Sequence, residues 1–340
     1  MKQPRVLKKV LIKLGSQCNW HCPHCHSEAV NYPFNSKLID WIQANGFEKV
    51  SFGGGEPTLY WKTIEKICRA LGHGYQYQFV TNGSLMDQVK RAFIDDYNMT
   101  VCLSYDGTAG ARTEEPPPRY EEFRYIRNLS FSICVYRQNM NFRQLTHDLE
   151  SLCKQYQLRY KGSLQPEFVH QTAAVSDDEA DLDTAKSYCV QMAQLIESEL
   201  LQISFLTNFE DQRAVFERAF TLKKALWKWW LPHDTRKGCR CFNENIQAVS
   251  LSGKFLLCPY TARYDIGTIE TGPDWKAVAA LIPIKCRECS IFHICRCTCI
   301  ANVTDHECYI ARTMNRWLTK VIDKYSLKEA LIRLAGETVW

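Results

Sequence analysis

The feature that most constrains the fold is a regular alternation of strand and helix patterns over the first 200 residues of this 340-residue chain. Short runs rich in β-branched and aromatic residues alternate with stretches that carry apolar residues at helical spacing. Such alternation indicates parallel strands joined by helices that pack outside them, in an open sheet or a barrel. The six predicted strands lie at 7–14, at 49–57 where the strand runs into a Gly-rich loop, and at 75–83, 99–107, 130–137 and 158–170.

The distinctive motifs all fall where a predicted strand ends. A cysteine-rich loop follows the first strand, GGGEP follows the second, TNG follows the third and SYDG ends the fourth. In parallel α/β folds the carboxyl ends of the strands form the functional face. We therefore expect the cysteines and the glycines to meet at one edge of the sheet.

The seventeen cysteines constrain both chemistry and compartment. The chain shows no export signal and no apolar run long enough for a membrane span, so reduced thiols in the cytoplasm that hold metal are expected. The formal net charge of +5 is mild and typical of a solvated surface. Five cysteines scattered among apolar residues are interpreted as small core residues: Cys68, Cys102, Cys134, Cys153 and Cys189.

The first cysteine group has the spacing C-x3-C-x2-C, three thiolates where a tetrahedral metal site wants four ligands. Three thiolates can hold a [4Fe–4S] cluster by three irons and leave the fourth open, whereas a partial zinc site is the alternative. Together with the glycine loop, this group resembles the radical S-adenosylmethionine (SAM) superfamily, in which the open iron binds SAM. The residues that carry the resemblance are Cys18, Cys22, Cys25, Gly54, Gly55, Glu56 and Pro57.

The resemblance implies roles for the residues around the cysteines. Gly54 and Gly55 would let the backbone approach the SAM ammonium, with Glu56 close by in the same loop. Ser104 matches the polar residue that reaches the ribose. His24 stands where the family usually has Tyr or Phe, and is expected to flank the adenine.

A second cysteine group resembles the SPASM extension of radical SAM enzymes that mature peptides. The resemblance implies two auxiliary [4Fe–4S] clusters, whereas a pair of zinc ribbons is the alternative. A chain with all three clusters would bind about twelve irons. The implied ligands are Cys239, Cys241, Cys258 and Cys299 for the first and Cys286, Cys289, Cys295 and Cys308 for the second, with Cys297 left over.

The resemblance and the alternation together predict the architecture. Residues 1–200 are expected to form a partial (β/α)6 TIM-type barrel, and 201–238 a helical linker. The SPASM-like domain is expected at 239–311 and a C-terminal helix at 312–340.

The family implies an enzyme that cleaves SAM reductively to a 5′-deoxyadenosyl radical, which takes a hydrogen atom from a substrate. A ribosomally made peptide is the expected substrate, and a crosslink or another modification the product. Pro259 follows Cys258 where sulfatase-maturing enzymes place a catalytic Asp, so that subclass is disfavoured. The first strand begins within ten residues, so a separate protein is expected to bind any leader. A flavodoxin or ferredoxin is the expected reductant.

Four residues near strand ends are weaker candidates for substrate chemistry, and each is also compatible with a structural role. Two further functions stay open: a radical SAM enzyme that acts on a small molecule, and a zinc-dependent protein that binds nucleic acid. Iron content distinguishes the latter from the iron–sulfur enzymes. The four candidates are Tyr105, Asp106, Glu167 and His170.

Overall fold

The structure is a computed structural model that describes most of the chain. Of residues 166–168 it describes the backbone alone. None of the described helices has both the length and the apolar character that crossing a membrane requires. The described residues are 7–22, 24–25, 30–108, 116–160, 166–168, 181–231, 245–257, 264–295 and 304–337.

The strands of the described chain form one large sheet and one small hairpin. The order in the large sheet is β6-β5-β4-β3-β2-β1-β7-β8, and β9 pairs with β10. The strands are β1 (Lys9–Lys13), β2 (Lys49–Gly53), β3 (Gln76–Thr81), β4 (Thr100–Ser104), β5 (Asn128–Val135), β6 (Pro166–Phe168), β7 (Ile246–Ser250), β8 (Phe255–Leu256), β9 (Gly267–Thr268) and β10 (Gly272–Pro273).

Helices connect the parallel strands and continue towards the C-terminus. The described helices are α1 (Lys37–Ala44), α2 (Trp61–Leu71), α3 (Gln88–Asp96), α4 (Tyr120–Phe123), α5 (Phe142–Tyr156), α6 (Leu182–Ser204), α7 (Phe209–Arg218), α8 (Phe220–Trp229), α9 (Trp275–Ala280), α10 (Ile284–Arg287), α11 (Asp305–Lys324) and α12 (Lys328–Glu337).

The parallel order of β1 to β6 confirms the predicted α/β fold class, because each strand pairs with the next along the chain. The sheet does not stop at β1. Strand β7, from the region predicted as the cysteine-rich domain, pairs with β1 in parallel and sets Ser250 opposite Lys13. The C-terminal region thus contributes to the central sheet, while the predicted domain boundaries stay predictions.

The two faces of the sheet differ in chemistry. Successive side chains of a strand point to opposite faces, so each strand contributes to both. One face carries buried apolar residues such as Ile12, Phe52 and Phe79, which pack with the helices into the hydrophobic core. The ring of Trp61, at the start of α2, contacts Phe79 at 5.9 Å between centroids. The other face is largely polar: Lys13, Lys49, Ser51, Gln78, Thr100, Cys102, Ser104, Ser130, Ser132 and Cys134.

The predicted terminal helix is two helices. Helix α11 begins at Asp305, before the predicted start at residue 312, and packs against α6 and α8. The Asn315 side-chain amide donates to the Trp229 carbonyl oxygen at 2.6 Å and ties α11 to the end of α8. Cys308 therefore lies on a long helix that is anchored to the rest of the protein.

Replacing a core residue of the central strand tests this packing. Ile12 is fully buried on β1, between β2 and β7. We expect Ile12→Ala to lower the free energy of unfolding by about 2–5 kcal/mol, since it removes packed methyl groups and leaves a cavity. Urea denaturation measures the change. Val89→Ala, at a side chain that is 71% exposed on α3, is the control and should stay within about 0.5 kcal/mol. Equal losses in both variants would contradict the assignment.

Candidate functional site

Main-chain hydrogen bonds join the cysteine loop after β1 to the glycine loop after β2. The Gly55 amide donates to the Gly15 carbonyl oxygen at 2.9 Å, and the Glu56 amide donates to the Gln17 carbonyl oxygen at 2.8 Å. The Tyr60 hydroxyl accepts from the Gln17 amide at 2.9 Å. The predicted meeting of these two motifs at one edge of the sheet is thus observed.

The contact between the loops requires glycine at two positions. Gly54 has a φ of +134°, and a Cβ there would lie 2.2 Å from the Gly15 carbonyl oxygen. A Cβ on Gly55 would lie 2.1 Å from the Gln17 carbonyl oxygen. Both obstacles are backbone atoms, which cannot move aside as a flexible side chain can. Close approach of two backbones therefore explains these glycines, and their predicted contact with SAM stays a prediction.

Glu56 connects the glycine loop to the loop after β3. Its side chain is 2% exposed, and Oε1 accepts from the Thr58 amide at 3.0 Å, the Thr58 hydroxyl at 2.6 Å and the Thr81 hydroxyl at 2.7 Å. Oε2 accepts from the Asn82 amide at 2.8 Å. Burial raises the pKa of Glu56, although these four hydrogen bonds lower it. Glu56 is thus an internal brace, and Pro57 follows it as a buried residue at the start of a short 3₁₀ helix.

An asparagine inside the cysteine motif ties the same loops together. The Asn82 side-chain amide donates to Asn19 Oδ1 at 3.0 Å, and the Asn19 amide donates to the Ser84 hydroxyl at 2.9 Å. Asn19 lies directly after the first cysteine of the motif. Sequence reasoning missed this network, for which the TNG turn after β3 was the one available signal. Three loops are therefore locked to one another at the sheet edge.

The three cysteines line this edge with their thiols partly accessible. Cys18 and Cys22 are half-buried and Cys25 is exposed. The Cys25 amide donates to the Cys22 carbonyl oxygen at 2.9 Å, which closes a turn between the second and third cysteines. Burial raises the pKa of the Cys18 thiol, and the negative charges of Glu56 and Cys25 raise it further. A positively charged iron centre would offset this and favour the thiolate that binds metal.

His24 and Asp106 form a buried pair beside the third cysteine. His24 Nε2 lies 3.6 Å from Asp106 Oδ2, and the two residues are 7% and 1% exposed. Asp106 Oδ1 accepts from the Cys134 amide at 2.9 Å, and the His24 ring lies 5.6 Å from that of Tyr136. The structure places Asp106 as a buried partner of His24, and its predicted part in substrate chemistry stays a prediction.

The other predicted residues of this edge occupy different environments. Ser104 is 6% exposed at the end of β4, on the polar face. Tyr105 points to the helix-covered side, where its ring lies 6.2 Å from that of Phe131. Burial raises the pKa of Tyr105, and the charge of Asp148 on α5 adds to this. The part of Tyr105 in substrate chemistry stays a prediction.

The polar face of the sheet runs up to the cysteine loop. Lys13 is fully buried, and the Ser51 hydroxyl is buried without a hydrogen-bond partner among the described residues. Burial lowers the pKa of Lys49, whose ammonium pairs with no carboxylate in the described part of the chain. Cys102 and Cys134 lie half-buried on this face, outside the apolar core, so their interpretation as core residues is wrong.

A second group of cysteines surrounds a cavity of about 380 Å³ near the start of α11. Cys286 lies on α10, Cys289 and Cys295 in the turns that follow it, and Cys308 on the first turns of α11. Burial raises the pKa of Cys286 and of Cys308, and the neighbouring cysteines add to it. The Arg312 guanidinium donates to Cys289 Sγ at 3.7 Å. The four ligands implied for the second auxiliary cluster are thus brought together.

Comparison with known protein families identifies the domain that carries the first site. Residues 12–102 match the family described as the radical SAM superfamily. The chain carries a radical SAM domain. The matched segment begins in β1 and ends in β4, so it contains the cysteine loop, the glycine loop and Asn19.

Curated relatives match this domain over part of their length. An S-adenosylmethionine-dependent nucleotide dehydratase of Thermoplasmatales archaeon (strain ISO4-H5) is 32% identical over 30% of this chain and 39% of its own. The radical SAM cyclopropyl synthase TigE of Paramaledivibacter caminithermalis is 27% identical over 29% of this chain and 27% of its own. The radical SAM domain is therefore the part that these relatives share with this chain. The matched segment covers two fifths or less of each relative's own length.

Solved structures share the fold over more of the chain. The anSMEcpe structure with bound AdoMet and Cp18Cys peptide has a TM-score of 0.63 at 14% identity and covers 94% of this chain and 98% of that one. Streptococcus suis SuiB bound to precursor peptide SuiA has a TM-score of 0.55 at 15% identity, with 86% and 72% covered. These likenesses confirm the predicted fold class, a partial barrel followed by a cysteine-rich region.

The geometry of the radical SAM domain fits the cluster that its family implies. The three thiols are partly accessible at an edge whose loops are joined by hydrogen bonds. Both carboxylate oxygens of Glu56 accept hydrogen bonds from other residues, so they are not directed at the thiols. Three cysteine thiols are the donor set that a [4Fe–4S] cluster with one open iron takes.

Several predicted residues cannot be placed. Strand β6 pairs with β5, and in this pairing the backbone of Glu167 lies opposite Cys134. The ligands implied for the first auxiliary cluster therefore stay predictions. The predicted site residues that lie outside the described residues are Cys239, Cys241, Cys258, Cys297, Cys299 and His170.

A methyl group at the loop contact tests its geometry. We expect Gly55→Ala to lower the free energy of unfolding by about 1–3 kcal/mol, because its Cβ would collide with the Gln17 backbone and push the loops apart. Gly74→Ala is the matched control, since no atom lies within 4 Å of its added Cβ. Urea denaturation of both variants measures the difference. A Gly55→Ala protein as stable as the control would show that the loops do not touch.

Proposed function

We propose that this chain is a radical SAM enzyme that takes a hydrogen atom from a peptide and so forms a crosslink or another modification. The observation that carries the proposal is the fixed contact between the three-cysteine loop and the glycine loop at the carboxyl edge of β1 and β2. It joins the ligands of a cluster to the loop that the family uses for SAM.

The residues that would hold the cofactors follow from their positions. Cys18, Cys22 and Cys25 would bind the [4Fe–4S] cluster by three irons. The loop from Gly54 to Pro57, with Ser104 and His24, would contact SAM. When bound, the cluster and SAM supply a 5′-deoxyadenosyl radical, which takes a hydrogen atom from an unactivated carbon.

The surrounding residues of the chain position and shield this site. The Asn19 and Glu56 hydrogen bonds fix the loops in one arrangement, so the cofactors would meet a preorganised edge. Asp106 holds His24 beside the third cysteine, and both are nearly inaccessible to solvent. Burial of this pair suits chemistry in which water and stray hydrogen donors must be kept away.

The polar face of the sheet is where the substrate would lie. It leads to the cysteine loop and offers side chains such as Ser51 and Gln78, which can bond to peptide groups. The solved structures of similar fold include two with a bound peptide, Cp18Cys in anSMEcpe and SuiA in SuiB. This likeness of fold supports a peptide over other substrates, and a separate protein would recognise any leader.

A small molecule is the second candidate, because the same face carries cations. Lys13 and Lys49 project from β1 and β2, where an ammonium suits a phosphate or carboxylate. Curated relatives of the radical SAM domain include a nucleotide dehydratase and a probable GTP 3′,8-cyclase.

The C-terminal cysteines would hold two auxiliary clusters. Cys286, Cys289, Cys295 and Cys308 would bind one, and Cys239, Cys241, Cys258 and Cys299 the other. With four protein ligands each, the clusters would transfer electrons and bind no substrate. The electrons would come from a flavodoxin or ferredoxin in the cytoplasm.

Removing one cysteine of the first group tests the proposed chemistry. We expect Cys18→Ala to abolish SAM cleavage, because two thiolates cannot keep the cluster in the geometry that leaves one iron open. The measurement is 5′-deoxyadenosine formed without oxygen, with dithionite as reductant. Cys153→Ala, at a half-buried cysteine of α5, is the control and should retain activity. Unchanged 5′-deoxyadenosine in Cys18→Ala would refute the proposal.

Mass spectrometry separates the two substrate classes. The wild-type chain and the Cys18→Ala variant are each co-expressed with short peptides encoded beside the gene. The mass of every peptide is then measured from both co-expressions. A mass change that requires Cys18 supports the peptide substrate. Unchanged peptides, while the wild-type chain still cleaves SAM, favour the small molecule.

Iron content tests the second cysteine group. We expect the wild-type chain to bind about twelve irons and Cys289→Ala to lose about four of them, because its cluster has lost a ligand. Iron and zinc analysis of protein purified without oxygen gives the numbers. Cys189→Ala, at a buried cysteine of α6, should keep the full content. A colourless protein that contains zinc would contradict the assignment of all the clusters.

A further inference from the structure

A row of exposed cations runs along α11. Arg312, Arg316 and Lys320 are spaced four residues apart, so they lie on one face of the helix. All three are exposed, and no carboxylate of the described residues forms an ion pair with Arg316 or Lys320. Like charges on one helix face repel one another and do not stabilise the fold. Their placement therefore calls for an explanation outside the folded chain.

The opposite face of the same helix is buried in the core. Ile310, Met314 and Leu318 are at most 4% exposed, on the side of α11 that packs against α6 and α8. The cationic side therefore faces outwards from a helix that cannot rotate. A partner would meet it as a rigid surface.

The cationic row borders the cavity of the second cysteine group. Arg312 and Arg316 line that cavity together with Lys285, whose ammonium lies 3.2 Å from Asp305 Oδ1. Lys320 lies about one turn beyond Arg316 on the same helix. We call Lys285, Arg312, Arg316 and Lys320 the basic rim. Ile284, at 70% exposure, adds an apolar side chain next to Lys285. Three of the four cations of the basic rim thus line an opening to four thiols.

We propose that the basic rim is the docking surface for an acidic protein that carries single electrons. The inference rests on the proposed function, because it requires a cluster on Cys286, Cys289, Cys295 and Cys308. The reduced carrier would give one electron to that cluster, so that the carrier is oxidised and the cluster reduced by one electron each, with no bond made or broken.

Two observations favour an electron carrier over a nucleic acid. The cations are few and gathered around the cavity, whereas a nucleic acid needs a longer run of phosphate contacts. The exposed Ile284 suits an interface between proteins, which combines apolar contact with a charged border. Complementary charge would also speed the encounter of the two proteins.

Charge reversal at the basic rim tests the docking. The double variant R316E/K320E changes two exposed cations and keeps Arg312, which contacts Cys289. We expect its dissociation constant for an oxidised flavodoxin to rise at least about tenfold, since two attractive pairs become repulsive. Isothermal titration with the iron-loaded chain at low salt measures it. For the wild type, added salt should weaken binding strongly, and for the variant only slightly.

A matched control separates docking from overall charge. The double variant R143E/K154E makes the same change of charge at exposed positions of α5. It should bind flavodoxin within about twofold of the wild type, because exposed charges far apart are screened. Equal losses in both double variants, no loss in R316E/K320E, or a wild type that binds no flavodoxin would each overturn the proposal. Displacement of flavodoxin by a single-stranded oligonucleotide of higher affinity would assign the surface to nucleic acid instead.

The source of electrons distinguishes this inference from the proposed function. With flavodoxin as reductant, R316E/K320E should form 5′-deoxyadenosine more slowly than R143E/K154E. With dithionite, which needs no docking surface, the two variants should be equal, and their iron contents should agree. A wild-type chain that cleaves no SAM with dithionite refutes the proposed function itself. If R316E/K320E cleaves SAM as slowly with dithionite as with flavodoxin, the proposed docking is refuted, while the proposed function stands.

Discussion

The hydrogen bonds from the Gly55 and Glu56 amides to the backbone of the cysteine loop are the interaction on which the candidate site depends. They exist because β1 and β2 are parallel neighbours in register, so that both chains leave the sheet at the same height. Two glycines allow the backbones to touch, and Glu56 and Asn19 extend the contact to the loop after β3. The three-cysteine loop and the glycine loop are thus parts of one edge that hydrogen bonds hold together.

The sequence predicted the elements of this fold better than the contacts between them. Hydrophobic periodicity locates β1 to β5 within a few residues, because each pattern is local. The pairing of β7 with β1 joins residues more than 200 positions apart, and no local pattern specifies such a register. The contacts between Asn19 and Asn82 and between His24 and Asp106 escaped prediction for the same reason.

The cysteines show where composition misleads. Cys68 and Cys189 are buried in the core, as their apolar neighbours indicate. Cys102 and Cys134 have similar neighbours, but they lie half-buried on the polar face of β4 and β5. That face is not open to solvent throughout, since Lys13, Ser51 and Ser104 on it are at most 6% exposed. Only the three-dimensional arrangement tells which side of β4 and β5 carries the polar residues.

Strand β7 joins the C-terminal region to the central sheet. It covers the edge of β1 and thereby removes unpaired backbone groups beside the strand that leads into the cysteine loop. The Leu251 amide continues the pairing by donating to the Lys13 carbonyl oxygen at 3.1 Å, five residues before Cys18. A C-terminal region that forms part of the central sheet cannot move as an independent lid. The sheet therefore joins residues from both ends of the chain beside the cysteine loop.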